Sequence, residues 1–154
     1  APVRSPIDLA GLVDAIVADA RFEAAARGVA IHWTAPDELS FEADAAALGS
    51  AIENILRNAI RYTDPAAPVN VSLQADAHEI RLDIVDGGPG VPAEALASLF
   101  EPFYRVRSGP GHPAGAGLGL SIAHAGIAAH GGMVSAHNAQ PRGLAVSVRL
   151  PRSA

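Results

Sequence analysis

Glu53-Asn54-Ile55-Leu56-Arg57-Asn58-Ala59-Ile60-Arg61-Tyr62 is the stretch from which the rest of this chain can be read. Leu48, Ile52, Ile55, Leu56 and Ala59 recur at the spacing of one helical face. Asn54, Asn58 and Arg61 stand at i, i+4 and i+7, so they line roughly the opposite face, with Tyr62 beside them. Such a helix lays aliphatic side chains on a sheet and shows amides and a guanidinium outward. Amide oxygens suit a hard cation such as Mg²⁺, and Arg suits phosphate. Taken alone, the stripe is also what any amphipathic helix with a solvated face presents.

Working outward, Asp44 is a good N-cap, and the helix is expected over about Ala45 to Tyr62. Upstream, Ala1 to Pro6 reads as a linker. A helix runs from about Asp8, a plausible N-cap, to Arg27, with Leu9, Leu12, Val13, Ile16 and Val17 at helical spacing and Gly28 as a stop. Val29 to Thr34 and a short segment near Leu39 to Glu42 are candidate strands. Downstream, Val69 to Ala75 and Glu79 to Val85 alternate as strands around a turn at Asp76 and Ala77. A third helix is expected from about Leu118 to His130, stopped by Gly131-Gly132. Met133 to His137 and Leu144 to Leu150 are the closing strands. Helices mixed with hairpin strands in this order predict an α/β two-layer sandwich, one sheet with helices on one face.

The 154 residues fit one domain. No cysteine is present, which excludes disulfides and thiolate metal sites. The formal net charge of −5 argues against a nucleic-acid partner. No apolar run approaches the roughly 20 residues that span a bilayer, and no signal peptide stands at the start. From Gly87 to Gly119 the chain is rich in Gly and Pro, broken by a short helical segment near Ala93 to Phe100. Irregular stretches longer than about 12–15 residues inside a compact domain are usually functional or disordered. A cover over a ligand and a loose surface loop both fit this composition.

Two further segments bear chemistry. Ile80, Leu82 and Ile84 alternate, and then Val85-Asp86-Gly87-Gly88-Pro89-Gly90 breaks the strand. A carboxylate at a strand end can accept from an amino group while the glycines let a flat base approach. A plain turn uses the same residues. Gly115-Ala116-Gly117-Leu118-Gly119-Leu120 opens the third helix, where free amides and the helix dipole favour phosphate. It is neither a Walker A loop nor a dinucleotide fingerprint, because the spacing and following residues differ.

In order and spacing these segments resemble the sensor histidine kinases, within the ATPase superfamily shared with DNA gyrase and MutL. Glu53 to Thr63 is similar to the N box and Asp86-Gly87-Gly88-Pro89-Gly90-Val91-Pro92 to the first glycine box. Leu99-Phe100-Glu101-Pro102-Phe103-Tyr104-Arg105 resembles the F box, and Gly115 to Ile122 the second glycine box. His130-Gly131-Gly132 and the closing Gly143 to Pro151 match the family's usual ending. The likeness covers nearly the whole chain. It implies a mixed, mostly antiparallel sheet of about five strands with about three helices on one face. It implies that residues 1–6 are a linker from an absent dimerisation domain, and residues 7–154 an ATP-binding catalytic domain with a lid at about 101–117.

The resemblance also implies roles. Asn58 ligates Mg²⁺, with Asn54 assisting near the phosphates of ATP. Asp86 receives the adenine amino group, and Gly88 and Gly90 let the base lie close. Arg61 approaches the phosphates and Tyr62 the adenine. Gly115, Gly117, Leu118 and Gly119 wrap the phosphates, Phe100 and Phe103 anchor the lid, and Arg105 meets the γ-phosphate. One position departs from the pattern: Gly87 stands where the family usually has Asn.

Water-activating relatives have Glu four residues before the metal-binding Asn, and here that position is Asn54. Glu53 is rotated by about 100° around the helix, and an amide is no general base at neutral pH. The implied reaction is therefore phosphotransfer to a histidine on a separate dimerisation domain, by positioning and electrostatics. The implied partners are that domain and the receiver domain of a response regulator. The implied location is the cytoplasmic part of an inner-membrane sensor, with any membrane contact made through other segments. His78-Glu79-Ile80-Arg81 begins like a phosphoacceptor box, but no proline follows and the segment alternates as a strand. Two other readings stand beside this one. One is a nucleotide-binding regulatory module without productive transfer, hinted at by Gly87. The other is a serine kinase of the anti-sigma type, from which the extended F box leans away.

Overall fold

The computed structural model describes residues 3–102 and 118–152. Five strands form the main sheet: β2 (Ile31–Thr34), β4 (Val69–Ala75), β5 (Glu79–Val85), β6 (Met133–Asn138) and β7 (Leu144–Pro151). Their order is β2-β4-β5-β7-β6. Only β2 runs parallel to its neighbour; the other three pairings are antiparallel. Three helices, α1 (Leu9–Ala26), α2 (Ala45–Tyr62) and α3 (Leu118–Ala128), complete the α/β sandwich.

The alternation read in the sequence decides which sheet face is covered. Val69, Val71 and Leu73 of β4, Ile80, Leu82 and Ile84 of β5, and Val146, Val148 and Leu150 of β7 are buried in one layer with Leu48, Ile52, Ile55 and Leu56 of α2. Each such aliphatic side chain contributes about 1.5–3 kcal/mol by leaving water. On the opposite face the residues between them are polar. There Ser147 Oγ donates to Asp83 Oδ1 at 2.6 Å, and Arg81 Nε donates to Asp83 Oδ2 at 2.9 Å.

Helix α2 starts as expected, with the Asp44 carboxylate accepting from the amide of Ala47 at 3.1 Å. That bond holds the Asp44 carboxyl below the ordinary aspartate range. Asp8 precedes α1 but does not cap it with its side chain. Its carboxylate accepts instead from the amide of Leu39 at 2.9 Å. The reason is a strand that local pattern did not reveal. Residues of β1 (Ser5–Asp8) pair antiparallel with β3 (Ser40–Ala43), in a two-stranded ribbon apart from the main sheet. Ser5 and Pro6, expected in a linker, belong to it. Strand β2 begins at Ile31 rather than Val29, because the Val29 amide closes α1 by donating to Ala24 O.

The third helix ends at Ala128, short of His130, in a run of turns. His130, just beyond that end, is buried, 1% exposed. Its Nδ1 meets Gly126 O at 2.8 Å, and its Nε2 accepts from the Asp44 amide at 3.1 Å. The pairing places the ring proton on Nδ1. One buried ring thus joins the end of α3 to the start of α2. Among the described residues, no helix is long and apolar enough to cross a membrane.

Candidate functional site

The polar stripe of α2 survives folding. Asn54 and Asn58 are half-buried and Arg61 is exposed, while Ile55, Leu56, Ala59 and Ile60 face the core. Glu53 leaves the stripe, as its rotation predicts. It pairs with Arg57 at 3.0 Å, and Arg57 also reaches Glu23 of α1 at 3.6 Å. Tyr62 is half-buried at the helix end. Burial pushes its phenol pKa up, against the pull of Arg61.

Asp86 follows the last residue of β5 and is 6% exposed. Its Oδ1 accepts from the amides of Gly88 at 2.9 Å and Leu144 at 3.1 Å. Oδ2 has no hydrogen-bond partner among the described residues. Desolvation raises the Asp86 pKa above 3.8; the Gly88 and Leu144 amides oppose the rise, and the charge of Asp64 adds to it. The site thus holds a buried acceptor with one oxygen pinned and one available.

The glycines beside Asp86 are dictated by contact. A Cβ at Gly88 would overlap the carbonyl oxygen of Tyr62, so only glycine lets this turn pass the end of α2. A Cβ at Gly87 would overlap that of Ala67. The Gly87 amide donates to Thr63 Oγ1 at 2.9 Å, and that hydroxyl donates to Ala67 O at 3.2 Å. The departure from the family's usual Asn is therefore matched by the loop that follows α2. Gly90 lies against Asn138, whose side chain accepts from Val91 N at 2.9 Å and donates to Val91 O at 2.7 Å.

The β6–β7 hairpin supplies residues that sequence reasoning missed. Gly143, at φ 107°, lies against the Asp86 carbonyl. Arg142 Nε donates to Gly88 O at 3.0 Å, and its Nη2 pairs with Asp64 at 2.8 Å. Asp64, Asn138 and Arg142 carry no local motif signal, and their partners lie 47 to 78 positions away (Asn138 to Val91; Asp64 to Arg142). A cavity of about 410 Å³ is lined by Asp64, Ala67, Asn70, Asp86, Gly87 and Arg142 among others.

Of the F box, Leu99 is buried and Phe100 is half-buried, its ring 6.0 Å from that of His124. Leu118 and Gly119 open α3. Phe103, Arg105, Gly115 and Gly117 lie outside the described residues. The structure thus sets the turn of Asp86, Gly88 and Gly90 against the Tyr62 end of the helix whose polar stripe carries Asn54, Asn58 and Arg61, through the contact of Gly88 with the Tyr62 carbonyl.

Residues 43–154 match the family described as histidine kinase-, DNA gyrase B-, and HSP90-like ATPase. The signal transduction histidine-protein kinase BaeS of Escherichia coli (strain K12) is 32% identical over 149 residues, covering 96% of this chain and 32% of that protein. The solved structure of a mycobacterial sensor histidine kinase, MprB, superposes with a TM-score of 0.83 at 30% identity, covering 99% of this chain and 100% of the other. Full-length ShkA, solved in complex with AMPPNP, gives 0.84 at 29% identity, covering 100% of this chain and 32% of that one. The chain belongs to this family, as a catalytic ATPase domain of the sensor histidine kinase kind. It spans about a third of the length of BaeS.

Proposed function

We propose that this chain binds Mg-ATP and delivers the γ-phosphate to a histidine on a dimerisation and phosphoacceptor domain, in two-component signalling. The observation that carries the reading is the buried Asp86, pinned by the Gly88 and Leu144 amides, at the end of the helix that bears Asn54 and Asn58. Oδ2 of Asp86 is the acceptor for an exocyclic amino group, which adenine has and guanine lacks at that ring position. Asn58 offers its amide oxygen to Mg²⁺, with Asn54 assisting and Arg61 approaching the phosphates. Among the described residues no three of His, Cys, Asp and Glu gather as a metal site, so an amide with phosphate and water oxygens suits this ion. When bound, Mg²⁺ supplies charge neutralisation at the phosphates. Tyr62 borders the base, while Arg105, Gly115, Gly117, Leu118 and Gly119 serve the phosphates.

The stripe favours transfer over hydrolysis. Asn54 is no base, and Glu53 is held by Arg57. The phosphate therefore awaits an external nucleophile, and the partners are the phosphoacceptor domain and then the receiver domain of a response regulator. The chain serves as the cytoplasmic catalytic part of a membrane sensor. The packing of Gly87 against Ala67 weakens the regulatory alternative, since the glycine fits its surroundings.

The test has two steps. Calorimetric titration with AMP-PNP, with and without Mg²⁺, and with GMP-PNP as control, should give adenine-selective binding strengthened by the metal. Mixing the chain with the histidine-bearing domain of its own full-length protein and labelled ATP should then yield an acid-labile phosphohistidine. Binding without transfer would move the regulatory reading ahead, and phosphoserine on a partner would favour the anti-sigma type.

A further inference from the structure

We propose that Arg142 is a positioning residue for nucleotide binding: its guanidinium clamps Gly88, and through Gly88 the Asp86 carboxylate, to the end of α2. The proposal rests on the nucleotide-binding reading above.

Gly88 is held at both ends. Its N–H donates to Asp86 Oδ1 at 2.9 Å, and its carbonyl accepts from Arg142 Nε at 3.0 Å. A turn with glycines at positions 87, 88 and 90 has little rigidity of its own, because glycine leaves φ and ψ unrestrained. Its conformation must be fixed by contacts: Thr63 holds the Gly87 amide and Asn138 holds Val91, and at Gly88 itself the Arg142 guanidinium supplies the hold from outside the turn. With Gly88 fixed, Oδ1 of Asp86 stays engaged and Oδ2 is left for the ligand. If Gly88 turns, the carboxylate loses one of its two amide donors and is free to rotate.

The other end of the same guanidinium reaches Asp64 at 2.8 Å, two residues beyond the end of α2. Arg142 itself sits beside Gly143 on the β6–β7 connection, and Gly143 lies against the Asp86 carbonyl. One side chain therefore ties three separately coded pieces: the helix of Asn54 and Asn58, the turn after Asp86, and the closing hairpin. The planar fork of Arg holds two acceptors in fixed directions, whereas the ammonium of Lys, on its flexible stem, fixes neither. Arg142 and Asp64 are 54% and 45% exposed, and pairs so open to water add little to fold stability. Their joint effect should appear in ligand binding rather than in melting.

The test compares the chain with its Arg142→Ala, Arg142→Lys and Asp64→Asn variants, measuring AMP-PNP and GMP-PNP affinity with Mg²⁺ and the melting temperature without nucleotide. Arg142→Ala should weaken AMP-PNP binding roughly tenfold, as expected for one lost charge-assisted hydrogen bond. Its preference for AMP-PNP over GMP-PNP should narrow, and its melting temperature should stay near that of the unaltered chain. Arg142→Lys and Asp64→Asn should fall between, each keeping part of the clamp. Unaltered AMP-PNP affinity in Arg142→Ala would overturn the proposal. So would an affinity loss matched by a large drop in melting temperature, which would mark Arg142 as a prop for the fold. If the unaltered chain binds neither nucleotide, the functional reading fails and takes this one with it. Adenine-selective binding by the unaltered chain with an indifferent Arg142 sinks only the clamp.

Discussion

Asp86 is buried, charged when it works, and held by two amides, so pH acts on it directly. Its pKa lies above 3.8, raised by desolvation. Such a group contributes stability to the fold below pH 3.8, and that contribution is lost as pH rises through the raised value. Binding runs the other way, because the neutral acid gives up acceptor strength on the oxygen the amino group needs. Adenine nucleotide affinity should therefore fall on the acid side at a pH above 3.8, while the fold itself holds; calorimetry across pH, with circular dichroism alongside, checks both. Asp86→Ala should erase the preference for AMP-PNP over GMP-PNP, and unchanged selectivity would refute the adenine contact. Gly87→Asn should lower the melting temperature, costing about 1–3 kcal/mol as an overpacked substitution. Ala67→Gly in the same chain should recover part of the loss, because a Cβ at position 87 would lie 2.4 Å from that of Ala67. Local pattern marks Asp86 only as a carboxylate closing an alternating strand before glycines, which a plain turn also shows, and its adenine role comes from the family resemblance alone. Asp64 and Arg142 carried no signal at all, because their pairing is set across the fold, which single-residue pattern does not encode.

Helix α2 is the element on which both fold and site depend. Its apolar side was readable from spacing alone, and the buried Leu48, Ile52, Ile55 and Leu56 follow it. Ile55→Ala should cost about 2–5 kcal/mol in urea unfolding, the usual range for such a core truncation. Asn58→Ala, on the other face, should leave the unfolding curve in place and abolish Mg²⁺-dependent nucleotide binding; near-normal affinity would remove its metal role. Boundaries were less legible than the helices themselves. Strand β1 contains Pro6 and too few residues to alternate, so it exists only through its pairing with β3. The Asp8 carboxylate was drawn away from its helix by the same pairing. The burial of His130 was not legible, because nothing local shows that the start of α2 would close over it.

At the scale of the whole molecule, the two-layer class followed from the order of elements, while the sheet of five strands followed from the family resemblance; the segment near Leu39 to Glu42, a sixth candidate strand, pairs in the separate ribbon instead. The parallel insertion of β2 beside β4 did not follow from the order of elements, because periodicity carries no strand order. The incomplete chemistry is also a property of the whole: the stripe on α2 carries two amides and a guanidinium but no base. The chain alone, given Mg-ATP, should neither label itself nor turn over ATP at an appreciable rate; acid-labile phosphate on His78 would contradict its assignment to β5's leading turn.

The β1–β3 ribbon has a mechanical meaning. Just ahead of it, the Val3 amide donates to Asp44 at 3.3 Å, and Arg4 donates to Ala129 O at 2.7 Å. His130 joins the same two helix ends from inside. The ribbon's start is thereby fastened at two points, to the N-cap of α2 and to the turn that follows α3. Cutting either fastening, by Arg4→Ala for one, should loosen the ribbon from the helix ends and leave the five-stranded sheet as it is, which hydrogen exchange of the β1 amides would read.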